Sequence, residues 1–384
     1  MGFFRPAVLT VLALVASVAI AECQTESRPF WTDIGPQEGL SARSVVLEKT
    51  GHETGAPLSP SAVYVAITDI GVIRSADQGA TWFAFGFGLP NYSMTALAIA
   101  QKEIQLGAPE VVYEKVLYAG TQSSGLFRYV TEWNQVAGGL AGSHVIAIAA
   151  PSVNIAYVAT EAGLFRTSDG GTTWTSASNG LPIGQVTALA VDPRSADTVF
   201  VGIGSRVLRS SDGGENWFAI LSLSEIAVAS IGVAPTSASA IFVAVTPTGP
   251  TPAVPELPGQ VFRSTDGGKN WTNLTEPFRG LPGVLVDAFA FEELTPTVYA
   301  GTWGIGVFRS TDMGDTWVPM TSGLTDPFVS SLAFDASAQH PSVYAGTVST
   351  DPPEGSVFRF EATLGPPSQP SNRSVHTVGF RGPR

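Results

Sequence analysis

Cysteine is nearly absent from this sequence, because Cys23 is the only one among 384 residues. A single thiol excludes an intrachain disulfide and any cysteine-rich metal site. The four histidines are His52, His144, His340 and His376, and they lie too far apart for the spacing typical of zinc ligands. We therefore expect a fold that is held by its hydrophobic core, with neither a metal ion nor a cofactor.

Positive charge is also scarce. The chain has 20 lysines and arginines against 32 aspartates and glutamates, which gives a formal net charge of −12. The lysines are scattered at Lys49, Lys102, Lys115 and Lys269. An acidic surface repels phosphate backbones, so we do not expect a nucleic acid partner. The sequence also lacks a Gly-x-Ser-x-Gly nucleophile motif and a phosphate-binding loop.

A long apolar run occurs only near the N-terminus. Residues 7–20 follow Arg5, form a stretch too short for a comfortable membrane span, and end at the small-residue site Ala19-Ile20-Ala21. This pattern predicts a signal peptide over residues 1–21, a linker over 22–29, and a secreted or periplasmic protein without a stable membrane span after signal removal. Residues 362–384 are rich in proline and serine and predict a disordered tail.

A repeated unit dominates the rest of the chain. An arginine follows a short apolar run seven times, at Arg74, Arg128, Arg166, Arg209, Arg263, Arg309 and Arg359. Each unit contains several short runs that alternate apolar and polar residues and are separated by turn residues, such as 186–191, 298–302 and 306–310. Four antiparallel strands per unit, repeated radially, predict an all-β fold, a β-propeller over residues 30–361.

Tryptophan positions predict the number of blades. Six of them begin a fourth strand: Trp82, Trp133, Trp174, Trp217, Trp271 and Trp317. The last unit, from Phe328 to Phe360, has three strands only, whereas Trp31 and the Gly39-Leu40 pair after it match Trp82 and Gly88-Leu89. We predict that the N-terminal strand completes the last blade, because an open ring would expose unpaired strand edges. The prediction is seven four-stranded antiparallel blades.

A turn of constant composition precedes most of these tryptophans. Its aspartate is placed to accept backbone N–H groups across the turn, and the glycine two residues later permits a positive φ. The aspartates are Asp77, Asp169, Asp212, Asp266 and Asp312, and the tryptophans that follow them are Trp82, Trp174, Trp217, Trp271 and Trp317. Each turn offers one carboxylate where a calcium loop offers several, so we assign these residues a structural role.

The run Ser75-x-Asp77-x-Gly79-x-Thr81-Trp82 resembles the Asp-box, or BNR, repeat. That repeat occurs in sialidases, xyloglucan-degrading glycosidases, sortilin-type receptors and a photosystem II assembly factor. The resemblance implies a propeller but does not imply an activity, because the repeat serves hydrolases and binding proteins alike. The Arg-Ile-Pro motif of sialidases is absent, and the tyrosines outside the repeat (Tyr92, Tyr113 and Tyr129) have no obvious glutamate partner.

Propeller geometry predicts which of the remaining residues share a face. Connections from the second to the third strand, and from one blade to the next, open on the same side. They contain the candidate ligand-binding residues Trp303, Tyr92, His144, Arg206 and Glu161, and the candidate catalytic carboxylates Asp69, Glu161 and Asp326. Trp303 is the tryptophan of the repeat region that does not begin a fourth strand. Its side chain is either an exposed platform for a ligand or a cover that packs against the neighbouring blade. The proline-rich segment 246–258 is either a spacer or a stiff arm.

The favoured hypothesis is an exported, monomeric, non-catalytic binding or scaffold propeller that recognises a protein or a glycan on this face. The alternative is a glycoside hydrolase, similar to xyloglucanases or sialidases, that acts on an extracellular polysaccharide or glycoconjugate through two carboxylates. The xyloglucanase-like relatives use two facing propellers, and one propeller supplies half of such a cleft. A third hypothesis is an assembly factor similar to the photosystem II helper, which binds its client through an arginine patch that we do not find here.

Overall fold

The computed structural model describes residues 31–36, 40–48, 62–89, 93–107, 110–224, 226–235, 240–247, 259–275, 279–336, 341–348 and 355–361. The predicted signal peptide, linker and tail lie outside these ranges, as do Tyr92 and most of the proline-rich segment 246–258. Within the described ranges, no helix has the length and apolarity needed to span a lipid bilayer.

The described strands form seven four-stranded antiparallel sheets. The chain begins with β1 (Thr32–Asp33), which belongs to the last blade. Blade 1 contains β2 (Ala42–Glu48), β3 (Ala62–Ile67), β4 (Gly71–Ser75) and β5 (Phe83–Ala84). Blade 2 contains β6 (Met94–Gly107), β7 (Glu110–Thr121), β8 (Leu126–Tyr129) and β9 (Trp133–Gln135). A single turn of 3-10 helix follows at Gly138–Leu140.

The remaining blades repeat this order. Blade 3 contains β10 (Val145–Ala149), β11 (Ala156–Thr160), β12 (Gly163–Thr167) and β13 (Thr175–Ser176). Blade 4 contains β14 (Val186–Asp192), β15 (Ser195–Ile203), β16 (Arg206–Ser210) and β17 (Phe218–Ser222). Blade 5 contains β18 (Ile226–Val233), β19 (Ile241–Pro247), β20 (Gln260–Ser264) and β21 (Thr272–Asn273). Blade 6 contains β22 (Val286–Phe291), β23 (Val298–Thr302), β24 (Gly306–Ser310) and β25 (Val318–Met320).

Blade 7 consists of β26 (Val329–Asp335), β27 (Ser342–Thr347), β28 (Val357–Glu361) and the N-terminal strand β1. Thr32 pairs with Arg359, and Asp33 pairs with Phe358. The predicted seven-bladed propeller and its closure by the N-terminal strand are therefore confirmed. The closure is physically necessary for a stable ring, since it pairs the edge that β28 would otherwise expose.

Trp31 is the anchor of the closing strand. Its side chain is 1% exposed, and its ring centroid lies 5.5 Å from that of Phe360. Its indole Nε1 donates to the carbonyl of Met320 in blade 6 at 2.6 Å. Three residues further on, the carbonyl of Ile34 accepts a hydrogen bond from Trp82 Nε1 in blade 1. The N-terminal segment thus joins three consecutive blades.

The hydrophobic core is divided among the seams between blades. One cluster, for example, combines Phe242 and Val261 of blade 5 with Val298 and Trp317 of blade 6. The second strands are nearly fully buried because both of their faces pack against neighbouring blades, as in β3 and β27. Packing between blades, and not within any one of them, provides most of the buried apolar surface.

The lower face of the ring, made of the first-to-second and third-to-fourth connections, carries the aspartate turns. In the blade 1 turn, Asp77 Oδ1 accepts the Thr81 N–H at 2.8 Å and the Ser75 hydroxyl at 2.7 Å. Gly79, two residues after the aspartate, has φ 97°. Hydrogen bonds, first of all from the Thr81 hydroxyl, lower the pKa of Asp77 to about 2. The other four aspartates accept equivalent bonds from their own turns.

The seven repeat arginines lie on the third strands of the blades. Each pairs in register with a buried aromatic residue of the second strand, as Arg166 does with Tyr157. Arg166 Nε donates to the Tyr157 hydroxyl at 3.2 Å, and Nη2 donates to Asp197 of blade 4 at 2.8 Å. Arg263 donates in the same way to the Met313 carbonyl and to Asp315 of blade 6. Arg166 and Arg263 therefore hold adjacent blades together, whereas Arg74 and Arg359 form ion pairs with Glu48 and Glu361 of their own blades.

Candidate functional site

The upper face of the ring is formed by the second-to-third-strand connections and by the connections between blades. It carries the residues that the sequence singled out. The structure places Asp69 on blade 1, Glu161 on blade 3, Arg206 on blade 4 and Trp303 on blade 6. His144 and Asp326 lie on the connections that lead into blades 3 and 7. The predicted site residues therefore share a face, but they are distributed around the ring.

Blade 3 brings two of these residues into contact. His144 Nδ1 lies 3.2 Å from Glu161 Oε1, and the Glu161 N–H donates to the His144 carbonyl at 3.3 Å. The glutamate side chain is 65% exposed, so this carboxylate is accessible to solvent. Its position is fixed by the turn after β11 and by the loop that enters β10.

An open cleft of about 490 Å³ lies on the upper face of blade 4. One wall is the connection from blade 3 to blade 4 and the other is the turn before β16. The lining residues are Pro182, Ile183, Gly184, Gln185, Thr187, Ile203, Gly204, Ser205 and Arg206. Sequence reasoning selected Arg206 but missed Ile183, which is fully exposed at the rim.

The charge in this cleft comes from Arg206. Its side chain is exposed, and no ion pair to it occurs among the described residues. This contrasts with the repeat arginines, such as Arg166 and Arg263, which are bound to carboxylates of the next blade. The guanidinium is therefore available to bind a carboxylate or another acceptor, while Ile183 and Ile203 provide apolar contact.

Trp303 lies two blades away, at the upper end of blade 6. Its backbone N–H donates to the Leu285 carbonyl at 2.9 Å. Its indole ring contacts the Phe328 ring edge to face, with 5.3 Å between the ring centroids. The side chain is 40% exposed. One part of the Trp303 ring therefore covers the loop that enters blade 7, and another part faces solvent.

The three candidate carboxylates have different surroundings. Asp69 is exposed at φ 65° in the turn between β3 and β4. Asp326 is only 3% exposed, and its Oδ1 accepts the Phe328 N–H at 3.0 Å, so it holds the loop before β26. Glu161 is engaged with His144. None of these three carboxylates lines the cleft on blade 4.

Two tyrosines of the repeat have glutamate partners that sequence reasoning missed. The Tyr64 hydroxyl donates to Glu48 Oε2 at 2.6 Å, and the Tyr299 hydroxyl donates to Glu292 Oε1 at 2.7 Å. A tyrosine and a glutamate form the nucleophilic pair of sialidases, but here both tyrosines are fully buried. Burial, followed by the contact with glutamate, raises the pKa of each phenol well above its ordinary value. These pairs are therefore part of the core and do not provide an activated nucleophile.

Asp287 was not selected from the sequence, where it appears as one polar residue in an apolar strand. It lies at the upper end of β22, the inner strand of blade 6. Burial raises the pKa of this carboxyl to about 6. No group of three or more side chains able to hold a metal ion occurs among the described residues.

No protein-family model matches the sequence, and no curated protein matches it closely enough to indicate a relationship. Among solved structures, the chain is similar to a GH74 enzyme from Niastella koreensis, with 18% identity, a TM-score of 0.57, and coverage of 82% of this chain and 52% of the enzyme. It is also similar to YCF48 bound to D1 peptide, with 15% identity and a TM-score of 0.61. This match covers 87% of this chain and 96% of YCF48. A third similar structure is the extracellular domain of the putative one-component system BT4673 from B. thetaiotaomicron, with 13% identity and a TM-score of 0.58. This match covers 86% of this chain and 39% of the BT4673 domain.

These similarities establish the propeller fold and no specific function. The chain spans about half the length of the GH74 enzyme and a smaller part of the BT4673 domain. It matches YCF48 over nearly the whole of that protein. Because identities this low are compatible with unrelated activities, function must be argued from the upper face itself.

Proposed function

We propose that this chain is an exported, non-catalytic binding propeller that captures an extended segment of a partner protein on the upper face of blades 3 and 4. The single observation that carries the proposal is the cleft between Ile183 and Arg206. It is open to solvent, has a volume of about 490 Å³, and has an apolar side chain at one wall and a cation at the other.

The chemistry of the lining favours binding over catalysis. No carboxylate, histidine, cysteine or lysine lines the cleft. The guanidinium of Arg206 offers positive charge and N–H donors, and guanidinium groups do not serve as proton-transfer groups. An acidic side chain of the partner would meet this guanidinium, and an adjacent apolar side chain would contact Ile183 and Ile203. Gln185 and Ser205 supply further polar contacts for the partner backbone.

The similarity to a peptide-bound propeller supports the same reading. YCF48 has been solved with a D1 peptide, so a propeller of nearly this size can bind a peptide. The apolar N-terminal run and the similarity to an extracellular domain support export. A glycan partner is less favoured for this cleft, because sugar sites use exposed aromatic rings and no aromatic residue lines it.

A phage-displayed random peptide library tests this proposal. Peptides enriched on the immobilised protein are expected to contain an acidic residue next to an apolar one. The dissociation constant of an enriched peptide, measured by fluorescence anisotropy, should rise about tenfold in Arg206→Ala and in Ile183→Ser, since one lost contact of this kind is worth about 1.4 kcal/mol.

Two substitutions on the lower face provide matched controls. Arg194→Ala removes an exposed arginine from the same blade, and Leu294→Ser removes an aliphatic side chain that is 93% exposed. Both should leave peptide affinity unchanged. Failure to enrich any peptide, or equal losses in the controls, would contradict the proposal. Release of sugar from xyloglucan or of sialic acid from a sialoside would favour the glycosidase alternative.

A further inference from the structure

The outer strand of blade 4 is longer than the outer strand of any other blade. Strand β17 has five residues, whereas the outer strands of the other six blades have two or three. It pairs with β16 up to the upper end of the blade, where Ser222 lies opposite Arg206. Blade 4 therefore departs from the repeat at the same place as the proposed binding cleft.

The sequence explains the extra length of β17. In the other six blades a Gly-Leu pair follows the outer-strand tryptophan, and four of these glycines (Gly88, Gly180, Gly280 and Gly323) have positive φ, which turns the chain out of the strand. Blade 4 has no such pair. After Trp217, residues 218–224 read Phe-Ala-Ile-Leu-Ser-Leu-Ser, with neither glycine nor proline to end the strand.

The upper part of β17 presents open backbone groups. Among the described strands, none pairs with its outer side. The Leu223 N–H donates to the Ser205 carbonyl at 3.0 Å, one residue beyond the pair formed by Arg206 and Ser222. Bonded and non-bonded pairs alternate along an antiparallel ladder, so Leu221 and Leu223 bond toward β16. Ser222, between them, directs its N–H and its carbonyl to the open edge.

A bulge separates this part of the edge from the part below it. Ile220 is skipped in the pairing with β16. Its carbonyl accepts a hydrogen bond from Trp271 Nε1 of blade 5 at 2.9 Å. Blade 5 therefore occupies the edge at Ile220, and the open backbone groups above the bulge are those of Ser222.

The two faces of this strand segment differ in polarity. Leu221 and Leu223 are partly buried in the seam between blades 4 and 5. The Ser222 side chain points the other way and is exposed. Residues directly opposite each other in an antiparallel pair project to the same face, so Ser222 lies beside Arg206. Arg206 also lines the cleft, so the cleft and the open edge meet at this arginine.

We propose that the partner segment adds to the upper part of β17 as a further antiparallel strand, with an acidic residue opposite Ser222. This inference rests on the proposed function, because the segment is the one that meets Arg206. A strand added to an open edge binds through main-chain hydrogen bonds, and its alternate side chains give specificity.

Charge and geometry select an acidic residue at that position. The chain has a formal net charge of −12, but the side chain next to this edge is the cation of Arg206. An added strand lies about 4.8 Å beyond β17, and Ser222 is small, so the long arginine side chain extends past it to a carboxylate on the same face. The residues on either side of the acidic one turn toward Leu221 and Leu223, where apolar side chains fit.

N-methylation of an enriched peptide, one backbone nitrogen at a time, tests the proposal on the natural protein. Only alternate N–H groups of an added strand face its neighbour. We expect the dissociation constant to rise about tenfold when the acidic residue is methylated, and less than about twofold when either adjacent residue is methylated. Any other pattern would overturn the pairing with β17. If Arg206→Ala still weakens binding of that peptide, the cleft proposal stands without it.

Ser222→Pro tests the same contact from the protein side. Proline removes the open N–H, and an edge strand tolerates it where the N–H faces solvent. The dissociation constant of the peptide should rise about tenfold, with a Tm within about 2 °C of the natural protein. Ser222→Ala keeps the N–H and serves as the control with unchanged affinity. Unchanged affinity in a folded Ser222→Pro variant would contradict the proposal, and the N-methylation pattern decides if that variant does not fold.

A second copy of this chain is the other occupant that an open edge attracts. Sedimentation velocity at increasing protein concentration distinguishes the two occupants. We expect the natural protein to remain a monomer. Dimers that disappear in Ser222→Pro would show that β17 pairs with a second copy, and would overturn the proposal.

Discussion

The lower and upper faces of the ring are built from the same repeat but differ in how their polar groups are used. On the lower face, each turn aspartate accepts several hydrogen bonds from its own turn, and its pKa is lowered as a result. On the upper face, the connections differ from blade to blade, and Arg206 and Glu161 project into solvent. The difference teaches that residues shared by the repeats maintain the fold, whereas the variable connections of the upper face are where we propose that a partner binds.

The largest expected effect comes from breaking the closure that holds both faces in place. Trp31→Ala should lower the free energy of unfolding by about 3–5 kcal/mol, because it removes a fully buried ring and its hydrogen bond to Met320. Urea denaturation measures this loss. Phe87→Ala, which removes an aromatic side chain that is 99% exposed, is the control and should change stability by less than about 0.5 kcal/mol. An equally small change in the free energy of unfolding for Trp31→Ala would show that the N-terminal strand does not stabilise the closed ring.

A smaller effect on thermal stability should distinguish the turn aspartates of the lower face from the aspartates of the upper face. Asp212→Asn should lower the Tm at pH 7 by about 2 °C, since the charged acceptor strengthens the bonds from Asn216 and Ser210. Hydrogen bonds, chiefly that from the Asn216 side chain, lower the pKa of Asp212 from 3.8 to about 2. The contribution of this carboxylate is therefore present above pH 3.8 and lost as the pH falls through 2.

Measurements of Tm in thermal scans from pH 7 to pH 2 test this prediction. The Tm gap between Asp212→Asn and the natural protein should close as the pH approaches 2. Asp69→Asn on the upper face is the matched control, because asparagine also tolerates the positive φ at this position, and it should show no such gap. Equal behaviour of the two variants would remove the proposed distinction between the faces.

The repeat made the fold predictable, because a periodic pattern is observed many times in one chain. Trp31 was placed in the last blade by its match to Trp82, and Asp77 was assigned to a turn by its spacing to Gly79. Ile183 and Asp287 were missed for a different reason. The exposure of Ile183 depends on the path of one loop. The burial that raises the pKa of Asp287 depends on how neighbouring strands pack, so no local pattern reveals it.

The smallest expected effect on stability decides between the two roles of Trp303. Trp303→Ala should change the free energy of unfolding by less than about 1 kcal/mol, because the ring is 40% exposed and contacts Phe328 only along an edge. The partner segment could extend across the upper face from the blade 4 cleft to Trp303. In that case Trp303→Ala should weaken the binding of a long partner segment severalfold. The same variant should leave the affinity for a short peptide that fills only the cleft unchanged. Phe328→Leu keeps an apolar cover at the contact and serves as the control for packing. A loss of stability of about 3 kcal/mol in Trp303→Ala, with unchanged binding of both segments, would instead assign Trp303 to the packing of blade 6 against blade 7.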